Sequence, residues 1–139
     1  MNLLWEGNMK KIIFTICLLS TITAFGATHR DGTYRGTFVS GQETQVEVQF
    51  DLKNDVVSKQ KFRTLQYKGQ DYLKNKDLEA EKAKYEAALN STEGKNLTEG
   101  LEGLYSPDKI EKAGASVRAT KIRAAIQNGV NSGVYTPAK

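Results

Sequence analysis

Cysteine is almost absent from this 139-residue chain, proline occurs twice, and histidine and tryptophan once each. The one cysteine, Cys17, sits in an apolar N-terminal run. The rest of the chain is thereby denied a disulfide, a thiolate metal site, an iron–sulfur cluster and a thiol nucleophile. With His29 as the only histidine, a serine–histidine or histidine–metal mechanism has almost nothing to work with. Redox work would need a bound cofactor to carry the electrons. One-signed charge is scarce too: setting aside Glu6, Lys10 and Lys11 takes 20 basic and 16 acidic side chains to 18 and 15. That surplus is too thin to indicate nucleic acid. What is present, 39% hydrophobic and 26% charged residues, is globular and fits one domain, excluding collagen-like, disordered and multi-span membrane classes.

The N-terminus carries a compartment signal. Met9-Lys10-Lys11 precedes an uncharged run from Ile12 to Thr28, with an apolar heart at Ile12 to Leu19 and small residues at Ala24 and Gly26. This is the order of a secretory signal peptide, with cleavage expected after Gly26 or Ala27. The run is shorter than the roughly 18 to 20 apolar residues of a membrane span, and Ser20, Thr21 and Thr23 interrupt it. Cys17 follows Ile16 rather than a small residue and does not resemble a lipidation site. Trp5-Glu6-Gly7-Asn8 would be encoded by a purine-rich stretch just ahead of Met9, so the biological start is expected at Met9. The expected organisation is an upstream extension at 1–8, a signal peptide at 9–26 and one domain at 27–139. That domain is exported to the periplasm or beyond the cell, with no membrane insertion after cleavage.

Strand periodicity opens the domain. Val46, Val48, Phe50 and Leu52 alternate with Gln45, Glu47, Gln49 and Asp51, which puts one set on a buried sheet face and the other in water. Thr33 to Val39 is rich in β-branched and aromatic residues, and Ser40-Gly41-Gln42 supplies a turn between the two. After Asn54-Asp55, Val56 to Tyr67 reads as a third strand, completing an antiparallel meander. From Asp77 the period becomes helical: Leu78, Tyr85, Ala88 and Leu89 share a face, and Lys82 and Glu86 are spaced to pair across a turn. Asp71, Asp77, Glu79 and Glu81 invite a carboxylate-pair hydrolase, but at this spacing they read as a solvated face. Ser91 to Gly103 reads as a glycine-rich loop with a helical turn around Leu97 to Leu101. Two glycosylation-type triplets, at Asn90 and Asn96, are given no function. Ser106-Pro107 starts a short helix that should end by Gly114. The last helix buries Ala119, Ile122, Ala125, Ile126 and Val130, turns Arg118, Lys121 and Arg123 outward, and closes at Asn128-Gly129. The fold class expected is α+β, a small antiparallel sheet of about three or more strands against two to three helices.

One constellation carries chemistry. Ala113-Gly114-Ala115-Ser116 joins the last two helices with Ser116 at the N-cap position. Glycine beside a tiny side chain lets another group approach the backbone, and the N–H groups of Val117, Arg118 and Ala119 would face an anion with the helix dipole behind them. A phosphate suits such a place, with Arg118, Lys121 or Arg123 as a cationic contact. The plainer alternative is that Ser116 only caps one helix and Gly114 only ends the other. Tyr67, Tyr72 and Tyr105 offer faces on which a planar ring can stack.

Asp31-Gly32-Thr33-Tyr34-Arg35-Gly36-Thr37, the Gln45 to Lys53 strand, and Ala113-Gly114-Ala115-Ser116 leading into an alanine-rich helix together resemble the small FMN-binding domain family. It is the flavin-carrying domain of the C subunit of sodium-pumping quinone reductase and the G subunit of Rnf complexes, and it has exported bacterial single-domain members. The resemblance spans nearly the whole chain after the leader. It implies FMN as cofactor, held by Ala113, Gly114, Ala115, Ser116, Val117, Arg118 and Thr120. It also implies an acceptor hydroxyl at Ser116, where the family has a threonine that a flavin transferase can join to FMN by a phosphoester. The chain departs from the family at Ile110, where the transferase usually meets an aspartate, and at Ala113, where it meets serine or threonine. Gln66 to Tyr72 also replaces a glutamate-threonine-proline-glycine stretch that lies against the flavin in some relatives. Covalent and reversible loading therefore both stay open. The implied role is a flavoprotein electron carrier for a membrane-associated redox partner rather than a complete enzyme. The alternative is a secreted interaction or surface protein on the same fold that has lost its flavin.

Overall fold

The structure, a computed structural model, describes residues 27–114 and 118–138. The leader and Ala115, Ser116 and Val117, at the centre of the expected phosphate loop, lie outside the described residues. Strands β1 (Gly32–Ser40), β2 (Glu43–Lys53) and β3 (Val56–Tyr67) run antiparallel in sequence order. Asn54 and Asp55 both adopt left-handed backbone, with φ of 52° and 64°, which is the geometry a two-residue hairpin needs to match strand twist. Lys68 and Gly69 do the same, with φ of 51° and 79°, and return the chain as β4 (Gln70–Asp71) along the end of β3.

A 3₁₀ turn at Lys76–Leu78 leads into helix α1 (Glu79–Asn90), followed by α2 (Leu97–Gly103), a 3₁₀ turn at Pro107–Lys109, and α3 (Ala119–Ser132). The last element, β5 (Thr136–Pro137), pairs with the start of β1, so the sheet order is β4-β3-β2-β1-β5. Two further bonds fasten this seam, from Tyr135 N–H to the Thr33 carbonyl at 2.8 Å and from Ala138 N–H to the Asp31 carbonyl at 3.2 Å. The protein is an α+β fold, one five-stranded antiparallel sheet with three helices among the described residues. None of these helices is long and apolar enough to cross a membrane.

The alternation in β2 decides which face is covered. Val46, Val48, Phe50 and Leu52 are fully buried, and Tyr34 stacks on Phe50 with ring centroids 5.6 Å apart. Against them lie Ala119, Ile122, Ala125 and Ile126 of α3, Ala88 and Leu89 of α1, and Leu97 and Leu104 at either end of α2. Each large side chain so buried contributes about 1.5–3 kcal/mol relative to exposure. Helix α3 crosses β1 where two glycines meet: a Cβ on Gly36 would collide with the Ala125 carbonyl oxygen and the Gly129 amide, and one on Gly129 would sit 3.0 Å from the Arg35 carbonyl group. Beside them Thr37 N–H donates to Asn128 Oδ1 at 2.9 Å.

Several expectations are corrected. Asn128-Gly129 does not close α3, which continues to Ser132 and stops at Gly133, where φ is 85°; Gly129 is there because β1 leaves no room for a side chain. The helix expected from Ser106 to Gly114 is one 3₁₀ turn, and Ser106 makes no side-chain cap bond. Ile110 is extended and Lys112 left-handed, so the chain gives up helical pairing and instead packs Ile110 and Ala113 on the core. The last helix starts at Ala119 with Arg118 as N-cap residue, not at Ser116. The triplets at Asn90 and Asn96 have structural work: Thr92 is buried and donates to the Leu89 carbonyl, and Asn96 caps α2 by accepting from Thr98 N–H.

Candidate functional site

The N-terminal end of α3 brings a group of cations and tyrosines together. Ala119 and Thr120 begin the helix, so their N–H groups have no intrahelical partner, whereas Lys121 N–H already reaches the Arg118 carbonyl at 3.1 Å. The first turn of α3 holds no acidic side chain. Arg118 and Thr120 are exposed there, Gly114 is exposed in left-handed backbone with φ of 74°, and Ala113 is wholly buried. Of the seven expected phosphate contacts, the described residues therefore place Gly114, Arg118 and Thr120 at the surface and Ala113 in the core. Ala115, Ser116 and Val117 lie outside the described residues.

Lys121 does not face outward as expected. Its ammonium donates to Gln45 Oε1 at 2.6 Å and lies 4.3 Å from the centre of the Tyr67 ring, with Phe38 at 5.8 Å. Burial, joined by the nearby Arg118 charge, pushes its pKa below the usual lysine range. Gln45, expected in water, is buried because β1–β2 pairing passes from Phe38–Val46 to Val39–Thr44. It is the extra residue of a bulge, and bulges re-aim side chains. Gln45 Nε2 donates to Glu43 Oε1 at 2.9 Å, and the two Glu43 oxygens also accept from Lys68 and Gly69 N–H groups. Those bonds, led by Gly69, lower the Glu43 pKa. A continuous hydrogen-bonded path thus runs from the β3–β4 turn through Glu43 and Gln45 to Lys121.

Tyrosines flank this path. Tyr67 lies under Lys121, and Tyr72 meets Tyr85 edge to face at 5.6 Å. Half-burial raises the Tyr85 pKa and Tyr72 adds to it, while the Arg118 N–H and charge pull more weakly the other way. Tyr105 is 57% exposed, with the Arg123 guanidinium 4.2 Å from its ring centre. Of the three tyrosines expected to be available for stacking, only Tyr105 is largely open to solvent. Glu43, Gln45 and Tyr85 carry no sequence signal for this site. The one local hint is Lys68-Gly69, whose turn offers two N–H groups to an anion. Among the described residues no group of three or more histidine, cysteine, aspartate or glutamate side chains is arranged to hold a metal ion. The chemistry on offer is anion binding by Arg118 and the first N–H groups of α3, which have no intrahelical partner, beside aromatic surface. No family model, no curated protein and no solved structure matches the chain.

Proposed function

We propose that this chain is an exported FMN-binding domain that carries electrons for a membrane-associated partner. The flavin phosphate would be held at the start of α3 by Gly114, Ser116, Arg118 and Thr120. The observation that carries this reading is the meeting of two like charges, Arg118 and Lys121, at a helix start without acidic side chains. An anion there offsets their repulsion and meets the helix dipole, and Tyr67, Tyr72 and Tyr85 put ring surface beside it. When bound, the flavin supplies the redox chemistry, and the chain supplies binding and orientation. Ala113 is buried and Ile110 half-buried, at the positions where the resembling family offers its transferase a hydroxyl and an aspartate. That favours reversible binding over a phosphoester at Ser116.

One observation favours a second reading, an exported interaction or surface protein that has lost its flavin: Lys121 is already satisfied by Gln45 and Tyr67. The deciding measurement is an intact mass and a visible spectrum of the domain from cells with and without a flavin transferase, before and after denaturation. The expected result is yellow protein whose FMN is released on denaturation. Flavin that survives denaturation, and is lost in Ser116→Ala, would make the linkage covalent. Colourless protein that takes up no added FMN would leave the second reading standing.

A further inference from the structure

Strand β3 is only partly covered on the side away from β2. At one end Val57 N–H donates to the Lys95 carbonyl at 2.9 Å, and Gly94 N–H donates to the Val57 carbonyl at 2.8 Å. At the other end Tyr72 N–H donates to the Leu65 carbonyl at 2.8 Å, and β4 pairs with Gln66 and Tyr67. Among the described residues no strand pairs with Ser58 to Thr64 on that side. Midway along this gap lies a groove of about 350 Å³, walled by Gln60, Lys61, Phe62, Leu73, Leu89 and Asn90. Three consecutive β3 residues line it. The β2–β3 register shifts on both sides of Lys61 and Phe62, which pair with Gln49 and Val48 and so face opposite ways; a groove touching both runs along the strand edge, between β3 and α1.

Its surfaces are of two kinds. Phe62, Leu73 and Leu89 give it an apolar floor. Gln60 Nε2 is bound to Asn90 Oδ1 at 3.2 Å, while Gln60 Oε1 is buried with no hydrogen-bond partner among the described residues. A buried acceptor left unmatched costs about 1–3 kcal/mol, so a donor on an incoming chain gains there. Cations outnumber carboxylates here: Lys59 and Arg63 lean on Asp51 and Glu47 of β2 at 3.9 and 3.6 Å, Lys82 and Glu86 pair at 3.6 Å in the groove wall, and Lys61 between them has no ion pair among the described residues.

We propose that the β3 edge from Ser58 to Thr64 is a docking site for an extended acidic peptide of a partner protein. The peptide adds as a strand and places one apolar side chain in the groove between Phe62, Leu73 and Leu89. Charge selects this occupant. A second copy would set Lys59, Lys61 and Arg63 against the same residues, and lysines on an edge are the usual guard against such pairing. The chain's own leader carries two lysines and one glutamate, the wrong sign for this rim. An acidic strand gives Lys61 the partner it lacks among the described residues and shares the exposed cations on either side of it. The site is independent of flavin.

The test is a titration of the ¹⁵N-labelled full chain with an end-capped heptapeptide alternating aspartate and valine, and with its lysine–valine counterpart. Amide shifts centred on Ser58 to Thr64 with the acidic peptide alone are expected, and Lys61→Glu, a surface change, should weaken binding by about tenfold. Absence of those shifts, or equal shifts with both peptides, would overturn the proposal. So would concentration-dependent shifts of the same amides in the free chain, which would assign the edge to a second copy.

Discussion

Asp55 ties three parts of the chain to one residue. Its carboxylate accepts from Thr28 and His29 N–H groups at 2.7 and 2.8 Å and lies 3.1 Å from His29 Nδ1, while its own carbonyl accepts from Leu97 N–H at the start of α2. Burial pulls its pKa upward, and the bonds from Thr28 and His29 outweigh that pull, leaving it lowered. A carboxyl lowered by folding contributes stability that is complete above its unfolded pKa, about 3.9, and is lost as pH falls through the folded value. Asp55→Asn keeps the left-handed backbone, which asparagine tolerates. It should cost about 1 kcal/mol at pH 7, with the difference from wild type shrinking in urea melts at pH 3. An equal difference at both pH values would mean that the charge is not what matters. At this scale the sequence was least informative. Lys121 and Gln45 are 76 positions apart, and nothing local to either announces the bulge that turns Gln45 inward. Val46, Val48, Phe50 and Leu52, by contrast, are legible because strand period alone assigns their face.

Elements were legible where a period ran unbroken. The β3 boundaries, Val56 to Tyr67, fall where the sequence put them, and the turn near Leu97 became α2. The misses lie where packing overrules local preference. Gly129 reads as a helix stop only if its backbone freedom is considered, whereas in the fold its missing Cβ is what matters. Gly36→Ala should therefore destabilise by roughly 3 kcal/mol or more, because backbone atoms of α3 occupy the space. Gly41→Ala, where φ is 62° but the space is open, should cost about 1 kcal/mol. Urea denaturation of the two variants checks the ranking, and similar losses would mean that α3 shifts easily off β1. The candidate site falls between these cases. Its helix is legible from the apolar period, but the N-cap is Arg118 rather than Ser116, and upstream Ile110 and Ala113 turn into the core instead of extending the preceding helical turn.

For the whole molecule the telling feature is the β1–β5 seam. Gly32 pairs with Pro137, and Ala138 N–H reaches Asp31, while Asp31 Oδ1 also accepts from Asn54 N–H at 2.9 Å. The two ends of the described domain are thus neighbours. A circular permutant opened between Gly41 and Gln42, with a short glycine linker from Ala138 to Thr28, should melt cooperatively with an unchanged far-ultraviolet spectrum. Loss of cooperativity would mean that the β1–β2 hairpin must form first. The seam also has a consequence in time. Because β5, the second partner of β1, is made about a hundred residues after it, the outer edge of β1 stays open until that segment has left the ribosome. Until then β1 keeps one open border, and the seam is the last part of the sheet to close.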